Sequence, residues 1–213
     1  MKLKWYGQAA FLIAAQDGTR IITDPYTPGE RLTYSAIDEA ADIVTVSHEH
    51  FDHNNVAGVK GKPQVVRGVG DHAVKGIQFK GVSAYHDTTQ GSQRGPNTIF
   101  TFTVDGMKVC HLGDLGHPLS DKEVAEMGPV DVLLAPVGGY FTIDAQAAAK
   151  VCDQLGAKVV IPMHFKTPQA DLPISSVDGF VALRRNVRRI EGSEVEIEVL
   201  PAAQETVVLQ PAR

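Results

Sequence analysis

Within one stretch, Ser47-His48-Glu49-His50-Phe51-Asp52-His53, the chain sets three histidines and an aspartate in the pattern H-x-H-x-D-H. Neutral imidazole nitrogen and carboxylate oxygen are the donors that borderline divalent cations such as zinc accept. His48 and His50 lie two apart, so on extended backbone their side chains project to one side and can share an ion. Asp52 and His53 follow at once and can turn toward a second ion. Further donors of the same types stand singly along the chain as Asp24, His86, Asp114 and His164. The chemistry that suits this inventory is metal-assisted hydrolysis. Two ions held ~3.5–4 Å apart lower the pKa of a shared water toward ~7 and polarise the scissile carbonyl or phosphoryl oxygen.

The segments in front of these donors must bring them together. The apolar run Ile43–Val46 precedes the histidine motif. Asp24 follows a strand-like Arg20–Thr23, His86 follows Ile77–Ala84, and His164 follows Val159–Met163. Asp114 follows Met107–His111, which Asp105-Gly106 joins to Ile99–Val104 as a two-residue hairpin. Loops at strand ends can converge on one edge of a sheet, where functional residues collect. Val132–Met163 reads as strand, helix, strand, with Asp144–Leu155 helical and Gly156 as its stop. Other helices are expected over Asp121–Met127 and Val177–Asn186, and other strands over 11–15, 195–200 and 206–209. Many short strands with few, separated helices predict an α/β (α+β) chain of two sheets packed face to face, helices outside. A length of 213 residues suits a single domain spanning 1–213.

Composition narrows the partners. Hydrophobic residues at 43% and charged residues at 21% describe a chain with a packed core and exclude disorder, collagen-like repeats and coiled coil. Twenty Lys+Arg against 25 Asp+Glu give a net charge of -5, which opposes a nucleic-acid surface. The one dense basic run, Arg184-Arg185-Asn186-Val187-Arg188-Arg189, reads as a solvated face. Cys110 and Cys152 cannot build a disulfide framework and read as free, packed thiols. No stretch approaches the ~20 apolar residues of a membrane span. The first lysines are followed by no long apolar run, so no signal peptide is expected and the expected compartment is the cytoplasm.

The sequence resembles the metallo-β-lactamase superfamily, and most closely its small bacterial branch of zinc-dependent hydrolases related to L-ascorbate-6-phosphate lactonase. The resemblance rests on Trp5-Tyr6-Gly7-Gln8-Ala9-Ala10-Phe11, Thr23-Asp24-Pro25, the H-x-H-x-D-H run, His86, Gly113-Asp114, Pro136-Val137-Gly138-Gly139-Tyr140-Phe141-Thr142 and Met163-His164-Phe165. It implies an αββα sandwich of two mixed β-sheets. It also implies two divalent ions, zinc first, with Mn2+ or Fe2+ as alternatives. His48, His50 and His86 would hold the first ion, and Asp52, His53 and His164 the second, with Asp114 bridging. Asp24 would orient a ligand histidine as a hydrogen-bond acceptor. One departure stands out: the chain has Gly7-Gln8 where relatives in this branch often have Gly-His.

The expected function is hydrolysis of a small ester, lactone, thioester or phosphoester by a metal-bridged hydroxide, with Asp52 and Asp114 ionised as the catalytic carboxylates. Two dications over two carboxylates would leave about +2 at the site, so a small anionic substrate fits. Candidate substrate contacts are His117, Tyr140, Asn97 and Arg94. The alternatives are a phosphodiesterase or nuclease acting on nucleic acid and a non-catalytic metal-binding protein. Iron-based electron transfer is disfavoured by His50, which stands where flavodiiron proteins carry Glu. True β-lactam hydrolysis is expected to be negligible, since the fold serves many chemistries.

Overall fold

Side-chain alternation along the N-terminal strands decides the first sheet. It begins with β1 (Lys2–Gly7), β2 (Ala10–Ala14), β3 (Arg20–Thr23), β4 (Ile43–Val46) and β5 (Gln64–Arg67). Leu3, Trp5, Phe11, Ile13, Ile21 and Ile43 point into a cluster shared with the second sheet. Tyr6, Leu12, Ile22, Val44 and Val46 point the other way. A period of two sorts neighbours onto opposite faces; here both sets are apolar, so the sheet is buried on both sides.

The computed structural model describes residues 1–212. After β5 the chain crosses to the second sheet with β6 (Gly70–Val74), β7 (Ile77–Tyr85), β8 (Pro96–Val104), β9 (Met107–His111), β10 (Val132–Pro136), β11 (Val159–Met163) and β12 (Val187–Arg189). β13 (Glu194–Glu196) returns to pair with β1, and β14 (Glu205–Val208) completes the second sheet. The sheets run β13-β1-β2-β3-β4-β5 and β12-β14-β11-β10-β9-β8-β7-β6. Both are mixed: β1 to β3 and β6 to β9 are antiparallel, whereas β3 to β5 and β9 to β11 are parallel.

The helices lie on the second sheet. α1 (Asp121–Met127) opens on a capping box of Ser120 and Glu123 and packs near β7. α2 (Ala145–Leu155) starts at Asp144, whose side chain accepts from the Ala147 N–H, and stops at Gly156 in the left-handed conformation. It packs on β10 beside α3 (Asp178–Val181). The outer face of the first sheet is covered instead by loop residues, among them Tyr26, Leu32, Tyr34, Ala170, Leu172 and Ile174.

Two sequence expectations change. The helix expected over Val177–Asn186 stops at Val181. Its N-cap, Val177, makes no side-chain capping bond, and Val187–Arg189 instead pairs with β14 as the sheet's edge strand. The strand expected over 195–200 is only Glu194–Glu196. Lys2–Gly7 forms a strand that was not expected, although Leu3 and Trp5 alternate there with Lys2 and Lys4.

Candidate metal centre

The seven histidine and aspartate donors leave from the ends of β4, β7, β9 and β11 and meet at one edge of the two sheets. Two glycines permit the approach. A Cβ at Gly116 would stand 2.3 Å from the His86 carbonyl carbon, and one at Gly138 would stand 2.2 Å from the His164 carbonyl oxygen.

Asp24, at the end of β3, organises the loop after β4. Its carboxylate accepts from the Ser47 N–H at 2.8 Å, from Ser47 Oγ at 2.5 Å and from His53 Nδ1 at 2.9 Å. With its hydroxyl proton given to Asp24, Ser47 Oγ must accept from His48 Nδ1, 2.9 Å away. Both histidines therefore keep a proton on Nδ1 and turn Nε2 into the site. Asp114 is held by Asn97, whose Oδ1 accepts from the Asp114 N–H at 3.0 Å while its Nδ2 donates to the Leu112 carbonyl at 2.9 Å.

Besides the hydrogen-bonded cluster of Asp24, His48 and His53, two donor groups face the site: His48, His50 and His86; and Asp52, His53, Asp114 and His164. In each, the donor atoms lie within 4.8 Å of one another. Asp114 ties them together. Its Oδ2 stands 3.0 Å from His86 Nε2, 3.2 Å from His53 Nε2, 3.3 Å from His164 Nε2 and 4.0 Å from His48 Nε2. His53 Nε2 and Asp114 Oδ1 are buried with no hydrogen-bond partner among the described residues. Buried polar atoms rarely stay unpaired, and clustered imidazole nitrogens around a carboxylate are a donor set that divalent cations satisfy. The residues present fit a metal centre.

Electrostatics divide the donors: burial keeps some imidazoles neutral, while the carboxylates hold a proton on others. Burial pushes His48 down to about 3, and a neighbouring His53 charge adds to it, so His48 is neutral at pH 7. His50 is lowered by burial and by His86. Burial opposes ionisation of Asp114, but His164 and His53 outweigh it and hold the carboxyl well below its usual range. Burial likewise opposes a charged His53, but Asp114 and Asp52 raise it well above the ordinary imidazole value. Metal binding requires neutral imidazoles and ionised carboxylates, so His48, His50 and Asp114 already hold the binding form, whereas an ion must displace a proton from His53.

Above the donors opens a cleft of about 430 Å³, floored by His50, Asp52, His86, Asp114 and His164. Arg31, Arg94, Phe51, Phe141 and Leu172 form its walls. Arg94 lies over the Phe141 ring at 5.7 Å. Its loop is fixed by Asp87, which accepts from the N–H groups of Thr89, Gly91, Gln93 and Arg94 at 2.7–3.0 Å.

Of the four candidate substrate contacts, Arg94 lines this cleft and three do not. Asn97 is buried, with both ends of its amide engaged in holding the Asp114 loop. His117 accepts from the Tyr85 N–H at 3.1 Å and faces the Pro118 carbonyl at 2.9 Å, beside α1 and outside the cleft. Tyr140 is 64% exposed: at φ +60° the backbone sends its ring outward, and Phe141 takes the wall. Arg31, Phe51 and Leu172 carried no local signal, since each is an ordinary loop residue until the fold assembles the wall. The Arg184–Arg189 run is largely neutralised, Arg184 by Asp153, Arg188 by Glu205 and Arg189 by Asp178. Among the described residues no helix is long and apolar enough to cross a membrane.

Comparison with known proteins agrees with this geometry. Residues 2–164 match the family described as Beta-lactamase superfamily domain. A crystal structure of a metallo-β-lactamase superfamily protein from Thermotoga maritima is 39% identical with a TM-score of 0.82, covering 98% of this chain and 97% of that one. A UPF0173 metal-dependent hydrolase of Carboxydothermus hydrogenoformans is 31% identical over 78% of this chain and 85% of its own length. Another, from Pyrococcus abyssi, is 28% identical over 96% of this chain and 98% of its own. With its donor cluster at the edge of two stacked mixed sheets, the chain belongs to the metallo-β-lactamase superfamily, among its metal-dependent hydrolases.

Proposed function

We propose that the protein is a dinuclear hydrolase, with zinc as its first-choice metal, that cleaves an ester, lactone, thioester or phosphoester bond in a small anionic molecule. The observation that carries this reading is the position of Asp114 Oδ2 between the two donor groups, 3.0 Å from His86 Nε2 on one side and 3.2 Å from His53 Nε2 on the other. His48, His50 and His86 would hold one ion, Asp52, His53 and His164 the other, with Asp114 shared. Two divalent ions supply a hydroxide nucleophile near neutral pH and Lewis acidity for the scissile bond.

The chain's own residues do the rest. Asp24 and Ser47 keep the protons of His53 and His48 on Nδ1, so the donor atoms need no rearrangement. Arg94 and Arg31 stand on the cleft wall where they can receive the negative group of a substrate, and guanidinium binds carboxylate or phosphate through paired N–H donors. Phe51, Phe141 and Leu172 shed water from the cleft and strengthen those contacts.

The test is metal analysis of the purified protein followed by a chromogenic panel of phosphodiesters, phosphomonoesters, lactones, esters and thioesters. Two ions per chain and metal-dependent turnover of an anionic member are expected. A fully loaded protein inert across the panel would overturn the reading, and turnover of a chromogenic cephalosporin at ordinary enzyme rates would redirect it.

A further inference from the structure

Gln8 sits in the turn between β1 and β2 with φ +51°, a conformation uncommon for a residue with a side chain, and is 1% exposed. Its backbone carbonyl accepts from the His164 N–H and from Trp5 Nε1, both at 3.0 Å. These bonds fix where the side chain goes. Its Nε2 stands 2.9 Å from Asp52 Oδ2 and 3.0 Å from His164 Nε2, two donor atoms of the second group. Its Oε1 is buried and has no hydrogen-bond partner among the described residues.

Either end of an amide can be turned toward a neighbour, and here only the end beside the donor cluster has partners. Donor atoms in adjacent positions around an ion with bonds of ~2.1 Å stand about 3 Å apart. The end of the Gln8 amide has that spacing from both Asp52 and His164. Without an ion, the amide nitrogen is the correct end to present, because the Asp52 carboxylate accepts, as does His164 Nε2 when the ring proton is on Nδ1. Once an ion takes those lone pairs, an N–H there would face a cation. Rotating the terminal amide exchanges nitrogen for oxygen, so that Oε1 faces the ion and the N–H group turns to the side that has no partner, a loss that the bond to the ion offsets.

We infer that Gln8 is a further donor of the second group, its amide oxygen turning onto the ion that Asp52, His53, Asp114 and His164 hold. The two sites are then chemically unequal. The first offers three imidazoles, and the second adds a neutral hard oxygen and a higher coordination number, which shifts its preference toward oxygen-loving ions such as Mn2+ or Fe2+. This inference rests on the metal-centre reading above.

The experiment strips the protein with a chelator and titrates wild type, Gln8→Ala and Gln8→Glu with Zn2+ and Co2+. Competition with a chromophoric chelator gives the stepwise constants, and Co2+ absorption reports coordination number. In Gln8→Ala one constant is expected to weaken about 10- to 100-fold with the other unchanged, and that site's Co2+ band to intensify as coordination number falls. Gln8→Glu, isosteric and so protected against collapse, is expected to keep or tighten the affected constant. Unchanged constants in Gln8→Ala would overturn the inference. So would weakening in Gln8→Glu, since that would show the N–H to be the working end. Fewer than two ions in wild type would overturn the dinuclear reading as well.

Discussion

Asp24 Oδ2 and His53 Nδ1 stand 2.9 Å apart, and neither side chain is exposed to solvent. The same carboxylate holds the Ser47 N–H and hydroxyl, so one buried residue sets the tautomer of two metal-facing histidines. Asp24→Ala is expected to lower metal affinity about 10- to 100-fold. It also leaves the Ser47 N–H without its acceptor, at a cost of about 1–3 kcal/mol. Competition titration and thermal melts at matched metal content measure the two effects separately.

Asp114 belongs to the second donor group and its Oδ2 also stands 3.0 Å from His86 Nε2 of the first, to which His48 belongs. Asp114→Ala and His48→Ala are each expected to abolish hydrolysis and to lose bound metal. Elemental analysis beside turnover checks this; either variant with full activity and normal metal content would contradict the assignment.

Metal removal should destabilise the fold, since His53 Nε2 and Asp114 Oδ1 are buried without a hydrogen-bond partner among the described residues. An ion that binds only the native state, present at a thousand times its Kd, adds about 4 kcal/mol. Scanning calorimetry at pH 7 with and without chelator should show a lower Tm for the stripped protein, restored by adding the metal back.

Arg94 is held at the cleft by the Asp87 turn and by its stack over Phe141. A hydrogen bond to a charged group contributes about 1.5–3 kcal/mol. Arg94→Ala is therefore expected to raise KM for an anionic substrate about 10- to 100-fold, with a smaller change in kcat. A neutral ester with the same leaving group should be nearly unaffected. Equal losses on both substrates would remove Arg94 from substrate binding.

Burial pushes the thiols of Cys110 and Cys152 up to about 12. A thiol whose native pKa is raised favours folding below its unfolded value of ~8.5, and that contribution is lost as pH climbs above it. Native protein at pH 8 should resist a thiolate-specific reagent, and unfolded protein should release two thiols per chain. Rapid labelling of the native state would show local opening around β9 or α2.

The donor types, and most of the strands that carry them, are legible in the amino-acid sequence. His48, His50, Asp52 and His53 lie within one loop, so their convergence needs no long-range folding, and short apolar, β-branched runs between turn residues announce strands such as Arg20–Thr23 and Met107–His111. The tertiary structure alone decided what surrounds that centre. Asn97 and Arg94 are near neighbours in sequence, yet one is buried beneath Asp114 and the other lines the cleft. Tyr140 and Phe141 are adjacent aromatics separated by a single positive φ, which turns one to solvent and the other to the wall. Gln8 reaches His164 across 156 residues because β1 and β11 end at the same edge of two packed sheets. Local pattern records which face of a strand or helix a side chain takes. Which loop lies opposite is settled only when the sheets pack, because that contact joins residues with no periodicity in common.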